Sequence, residues 1–430
     1  MNTIENIKER FHELQSAGNG KLKAHEQNAF EAFNRLGIPT SKHEEWKYTR
    51  IGSVFNKEFQ IKPGGGNITM KDIAAVRMAG YEDANELVFV NGIYNPDLST
   101  VRSRELVVQP LQDASLNEYA GIVQKHLGHS SRYAKDGVHA LNSSFVHEGV
   151  FIHIAPGQIT EHPVYVYYIT DAREANILSQ PRNLVHISER AEVEIAETHH
   201  TLGVSESFTN HVLEVIVERD ANVNYYKIQN DADHSNHVCT THFRQTGKSN
   251  IHAVTISLTG GIVRNNMSIT LEAEHAEAHL YGLYFLKGRT HVDNHTVVDH
   301  VKPNCMSNEL YKGIIDGDAT AVFNGKIFVQ QDAQKTNAYQ SNKNVLLSDG
   351  ASVNTKPQLE IFADDVKCSH GCTVGRLDEE GLFYLRSRGI SENTARSLLI
   401  HAFAIDILEH VKSAVLRDYV DKLIFERLEI

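Results

Sequence analysis

Cysteine is scarce in this chain: four residues, Cys239, Cys305, Cys368 and Cys372, among 430. That number and spacing exclude a disulfide framework and suit a reducing compartment. No cysteine pair has the two-residue spacing of a closed thiolate site, which argues against a permanent cluster held by this chain alone. Long apolar runs are also missing, so no transmembrane helix is expected. The first twenty residues mix charges with spaced apolar positions and lack a signal-peptide core, so the chain is expected to stay cytoplasmic. Basic residues, 42, fall short of acidic ones, 54, and the net charge of −12 argues against nucleic acid as the main partner. No phosphate-binding Walker sequence, dinucleotide glycine fingerprint or nucleophile elbow is found, so an ATP site on this chain is not expected.

What is present divides the chain by periodicity. Ile4, Ile7, Phe11 and Leu14 recur at helical spacing, and a second helical run covers about 24–36 before Gly37-Ile38-Pro39. The single tryptophan, Trp46, reads as an aromatic anchor for this arm, and Pro63-Gly64-Gly65-Gly66 as a linker. A strand with a turn at Asn91-Gly92 is expected over 86–94, and a helix over about 111–127. From about 150 to 367 helical periodicity gives way to short β-rich runs, including 164–170, 192–198, 212–218, 222–228, 251–258, 278–285 and 320–329.

A polar or glycine corner followed by a small residue precedes several of these runs. The small residues are Ala191, Ala221, Ser249, Ala276, Ala319 and Ala351, spaced 30, 28, 27, 43 and 32 apart. A period near 30 in an all-β stretch favours a solenoid over the alternative, a β-sandwich. Whether one unit is one coil or two is open at this level. The last sixty residues turn helical again, with Gly389 as a C-terminal cap and Ser391 as the cap of the next helix. These helices suit either a partner or the end of the solenoid.

Two clusters carry candidate chemistry. Cys368-Ser369-His370-Gly371-Cys372, if extended, places two thiols and an imidazole on one side, a soft ligand set for iron, zinc or an iron–sulfur cluster. Three such ligands leave a position for a partner subunit, unless Gly371 breaks the strand. The bland alternative makes the thiols small hydrophobes at a strand end. The second cluster, His291, Asp293 and His295, would suit a stand-alone metalloenzyme, against the blander reading of a polar face or interface. His199, His200, His275 and His279 read as surface or corner histidines.

Linked runs then become recognisable: YKG at 311–313, AVFNGKI at 321–327, AQKT at 333–336, KPQLEI at 356–361, ADDVKCSHG at 363–371, LFYLRSRGI at 382–390, and EEWKYT at 44–49. With these the chain resembles the SufB/SufD family of iron–sulfur cluster assembly scaffolds, and the run Lys367-Cys368-Ser369-His370-Gly371 is similar to SufD rather than SufB. The resemblance implies a mainly β protein with a right-handed parallel β-helix core over 106–370. An N-terminal, mostly helical region with a short strand pair would span 1–105, and a C-terminal helical domain for ATPase docking 371–430. It implies a non-catalytic scaffold subunit that pairs with SufB and docks the SufC ATPase, sharing a transient cluster or iron with SufB and assisting iron entry. Reduced flavin on the complex, and a homodimer of the chain alone, are further expectations. By the same resemblance His370 is the leading ligand, with Cys368 beside it and Cys372 standing where the family usually has alanine. ATPase docking falls on Leu385, Arg386, Arg388, Ile390, Ala395, Leu399 and Phe403. Gly381 replaces a usual helix former, costing up to about 1 kcal/mol if it is mid-helix. The rival readings are the stand-alone metalloenzyme and a purely structural subunit without ligands.

Overall fold

The computed structural model describes residues 3–17, 22–61 and 67–428. The expected linker at Pro63 to Gly66 lies outside them. The chain alternates between two facing sheets from about residue 150 onward. Glu192–Leu202, Asn222–Asn230, Asn250–Thr259, Glu277–Leu286, Met306–Ile315, Asn337–Leu346 and Lys367–Arg376 are successive neighbours in one sheet. Ser207–Val217, Ser235–Gln245, Ile262–Leu271, His291–His300, Thr320–Val329 and Ser352–Ile361 are successive neighbours in the other. Every pairing among these strands is parallel. Each coil therefore adds one strand to each sheet, which is a flattened β-solenoid and not a hairpin-built sandwich.

The corners explain the period. Arg190, Asp220, His275, Asn304 and Lys335 all turn the chain with φ between 57° and 61°. The small residue after each, Ala191, Ala221, Ala276, Cys305 and Thr336, is fully buried against the coil beneath. With Ser249 this series runs 191, 221, 249, 276, 305, 336. The sequence pattern had mixed two edges: Ala319 and Ala351 head Thr320–Val329 and Ser352–Ile361 of the opposite sheet, which is why the gap of 43 arose. One unit of about thirty residues is thus one coil of two strands.

Stacking places equivalent residues in columns. Val193, Val223, Ile251 and Ala278 occupy one interior register, all buried. Farther along, Gly282 lies beside Tyr311 and Tyr284 beside Gly313. A Cβ on Gly313 would sit 2.2 Å from the Tyr284 ring, so each glycine is the notch that admits its neighbour's ring. Strand Ser207–Val217 is buried on both faces: Val215 and Val217 point inward, while Ile216 packs outward with Leu111, Val123, Phe151 and Leu184. That double burial is why the strand ends in the unbroken apolar run Val215-Ile216-Val217.

The expected helical arm is present as Thr3–Ala17 and Lys23–Leu36, joined by the Phe11–Phe30 ring stack at 3.7 Å. Trp46 is buried and donates its indole N–H to Asp136, as an anchor should. The strand pair Asn85–Val90 and Ile93–Tyr94 turns at Asn91-Gly92, both with positive φ. Asn85–Val90, which precedes residue 105, pairs in parallel with Val164–Asp171 and so extends the first sheet. The helix expected over 111–127 is two short ones, Leu111–Ala114 and Ala120–His126.

At the other end, Glu379–Ser387, Glu392–Leu408 and Ala414–Leu428 are helical. Gly389 has φ 88° after the first, and Ser391 caps the second through the Thr394 N–H. Gly381 is not mid-helix: it lies in the first turn, where its N–H is held by the capping Asp378 carboxylate and a Cβ would crowd that group at 2.7 Å. Ile400, Ala404, Ile407, Val420 and Ile424 pack on the outer face of the first sheet against Tyr226, Val254, Ile256 and Leu283. The helices therefore flank the solenoid and leave its C-terminal end uncovered.

Candidate functional site at the open solenoid end

Strands Ser352–Ile361 and Lys367–Arg376 terminate the two sheets, and each is paired on one side only. Both therefore present unpaired backbone groups, the ordinary template for strand addition. The boundary expected at 370 falls inside Lys367–Arg376, and Gly371 does not interrupt that strand.

Register fixes what this strand presents. Cys368 continues the column of Val193, Val223, Ile251, Ala278, Ser307 and Ala338, and it packs against the interior core. Burial pushes its thiol up from the ordinary value. His370 stands over Gln340, whose amide donates to the buried Glu309 at 2.8 Å. Burial lifts the Glu309 carboxyl to about 7. Cys372 stands over Asn342, which donates to Tyr284 at 2.8 Å. Cys368, His370 and Cys372 share the inward face, but successive inward positions on a strand are about 6.7 Å apart. They form a row and not a pocket, so no single ion is enclosed by all three. His370 and Cys372 are exposed because no further coil covers them.

The second cluster is an anchor for the N-terminal segment. Thr49 hydrogen-bonds both His291 and Asp293, Arg264 pairs with Asp293 at 2.8 Å, and His295 contacts Asp293 at 2.9 Å and Glu45 at 3.4 Å. Burial alone would raise the Asp293 carboxyl, but His295 and Arg264 outweigh it and hold it well below the usual range. The His295 hydrogen bond, with Lys326, brings Glu45 down to about 2. Arg264 also covers Trp46 at 3.9 Å.

On the C-terminal helices, Arg386 and Arg388 are exposed, and Leu385, Ile390 and Leu399 are partly so. Ala395 is fully buried, and Phe403 is partly exposed, with the Lys312 ammonium 4.2 Å from its ring centroid. The exposed large apolar side chains there are Phe383, Tyr384, Leu398, Ile405, Val415 and Phe425, none of them among the docking residues expected from the sequence. Sequence reading also missed His199, which is buried inside the solenoid and is not a surface residue, whereas His275 does sit exposed at a corner. The signal for His199 was its inward alternation with Val193, Ile195 and Glu197. Among the described residues no helix is long and apolar enough to cross a membrane.

Comparison with known proteins agrees along the whole chain. Residues 4–166 match the model of the SufBD protein N-terminal region, and residues 168–403 that of the SufBD core domain of the SUF system for iron–sulfur cluster assembly. An iron–sulfur cluster assembly SufBD family protein of Synechocystis is 32% identical over 91% of this chain and 88% of its own. The iron–sulfur cluster assembly protein SufD of Escherichia coli is 31% identical over 98% of this chain and 97% of its own. The chloroplastic protein ABCI7 of Arabidopsis thaliana is 34% identical over 62% of this chain and 58% of its own. The solenoid with its open, thiol- and imidazole-bearing end is that of a subunit of the SUF assembly system, and the chain belongs to the SufBD family of iron–sulfur cluster assembly proteins.

Proposed function

We propose that this chain acts as a SufD-type scaffold, joining a SufB-type partner edge to edge through its open solenoid end. One observation carries the reading: both sheets end on strands with a free edge, and the last of them bears Cys368 and His370. Strand addition across that edge would extend the sheets into the partner and bring its side chains against the row. The nascent cluster is then cargo held at the seam, with His370 as ligand from this side and Cys368 or Cys372 beside it. An incomplete set suits a scaffold that must release what it holds. The same free edges would pair two copies of the chain when no partner is present.

The C-terminal helices are the proposed seat of a SufC-type ATPase, through Leu385, Arg386, Arg388, Ile390 and Leu399 together with the exposed Phe383 and Tyr384. Nucleotide-driven movement there would strain the seam, a coupling that requires two conformational states.

The test is anaerobic reconstitution with SufB and SufC, comparing wild type with His370→Ala by visible absorption and by size. A weaker cluster spectrum from an intact complex is expected. An unchanged spectrum in His370→Ala and in its double variant with Cys368→Ala would leave the chain a structural arm without ligands.

A further inference from the structure

Inside the solenoid, four to five coils from the open end, three metal-binding side chains converge. His211 and Cys239 are register neighbours on adjacent strands of one sheet, and His199 reaches them from the facing sheet. One donor atom from each lies within 4.8 Å of the other two. The Cys239 Sγ is 3.9 Å from His199 Nε2. Ligand bonds of about 2.3 Å to sulfur and about 2.0–2.1 Å to nitrogen place two such donors about 3.6 Å apart around a tetrahedral ion. The Cys239–His199 pair is thus only slightly wider than in an occupied site.

The second observation is the state of the donors. All three residues are at most 1% exposed. Neither ring nitrogen of His211 has a hydrogen-bond partner, nor does His199 Nδ1. Buried polar atoms are normally satisfied, and three orphans in one cluster need an explanation. The surroundings supply orientation. Glu197 Oε1 lies 3.8 Å from His211 Nδ1, which leaves Nε2 to point elsewhere. A carboxylate behind a ligating imidazole is the usual supporting arrangement. His237 is held by Asp231 at 3.0 Å through Nε2, its Nδ1 is unpartnered, and its ring centroid is 5.2 Å from that of His199. The nearby Lys227 ammonium is answered by Glu197 at 3.3 Å and donates to Thr241 at 3.0 Å. Burial pushes both His199 and His211 down from the ordinary imidazole value, with Lys227 adding in the same direction.

We propose that His199, His211 and Cys239 bind one divalent first-row transition-metal ion, zinc or ferrous iron, inside the solenoid, with His237 beside the fourth position. Two imidazoles and a thiolate are a borderline-soft set that prefers such ions to magnesium or calcium. Binding releases the Cys239 proton, which burial otherwise holds on up to about 11. This site is separate from the open end and does not depend on the scaffold reading.

A site so enclosed fills as the chain folds, so the test uses the full chain produced in medium supplied with zinc, iron or cobalt in turn. Metal analysis then identifies the ion that is retained. The cobalt form is expected to hold one ion per chain and to show a thiolate-to-cobalt charge-transfer band with tetrahedral visible bands. Cys239→Ser should abolish the charge-transfer band, and His211→Asn should weaken cobalt retention by at least about tenfold. The combination Cys305→Ser, Cys368→Ser and Cys372→Ser leaves Cys239 as the sole thiol and should keep the band. The proposal is overturned if the wild-type chain retains no metal from any medium. It is equally overturned if the band survives Cys239→Ser, or if the sole-thiol chain loses it.

Discussion

At the scale of single residues, the solenoid concentrates its demands at corners, notches and enclosed charges. Asp220 turns with φ 57° and is exposed, so its role is conformational. Replacing it by glycine should leave stability unchanged or slightly higher, whereas Asp220→Val should cost about 1–2 kcal/mol, because the left-handed region is closed to branched side chains. Urea denaturation of the two variants checks this. Arg182 and Glu214 are completely enclosed and 2.6 Å apart, with Ser130 and Gly128 donating backbone N–H groups to the same carboxylate. Against the cost of burial, Arg182 and these amides bring Glu214 down to about 2. Glu214→Ala would strand the guanidinium in the interior and should destabilise by about 3–5 kcal/mol, read as a shift of the denaturation midpoint.

At the scale of elements, the N-terminal arm and the helix Ala120–His126 are held on the solenoid by polar seams. Trp46 under Arg264 is the pin of the arm. Trp46→Ala should cost about 3–5 kcal/mol and expose the arm to limited proteolysis before the solenoid opens. The seam under the helix is rich in imidazole: His153 and His186 meet at 3.1 Å, and His129 and His242 at 2.7 Å. Arg244, Glu214, Glu272, Glu218 and Lys125 are the charged groups facing it. Burial lowers His126 and His153 to about 4 and His242 to about 3, from 6.5. These groups are neutral in the fold and protonate more readily when it opens. Their stabilisation is complete above pH 6.5 and is lost as pH falls toward 3–4. The melting temperature should therefore drop steadily below pH 6.5. His153→Phe, stacked on Phe151, should flatten that dependence.

At the scale of the whole molecule, stability is distributed coil by coil. Each coil is supported by its neighbours, so the last one, supported on one side only, is the weakest. Hydrogen exchange should be fastest in Ser352–Ile361 and Lys367–Arg376 and slowest in Ser207–Val217, which is covered on both faces. Adding a SufB-type partner should protect the two terminal strands before any other part. Protection confined to the C-terminal helices would instead place that partner on the flank.

The sequence by itself determined the β-rich centre, the flanking helices, the thirty-residue period, the Trp46 anchor and the motifs of the family. Each is written locally, in spacing or in short runs. It did not reveal strands such as Ser235–Gln245, His291–His300 and Met306–Ile315. Their inward positions carry polar residues, among them Cys239, Asn294 and Glu309, satisfied or unsatisfied only by side chains on other coils. Tertiary structure alone decided three further points. The two edges of the solenoid separated a mixed corner series. The C-terminal helices folded against the outer sheet face, burying Ala395 and leaving the solenoid end open. Stacking set His199 against His211 and Cys239, residues up to 40 positions apart that meet because facing sheets close over one interior. Local pattern fixes which way a side chain points, but only the packing of coils fixes what it meets.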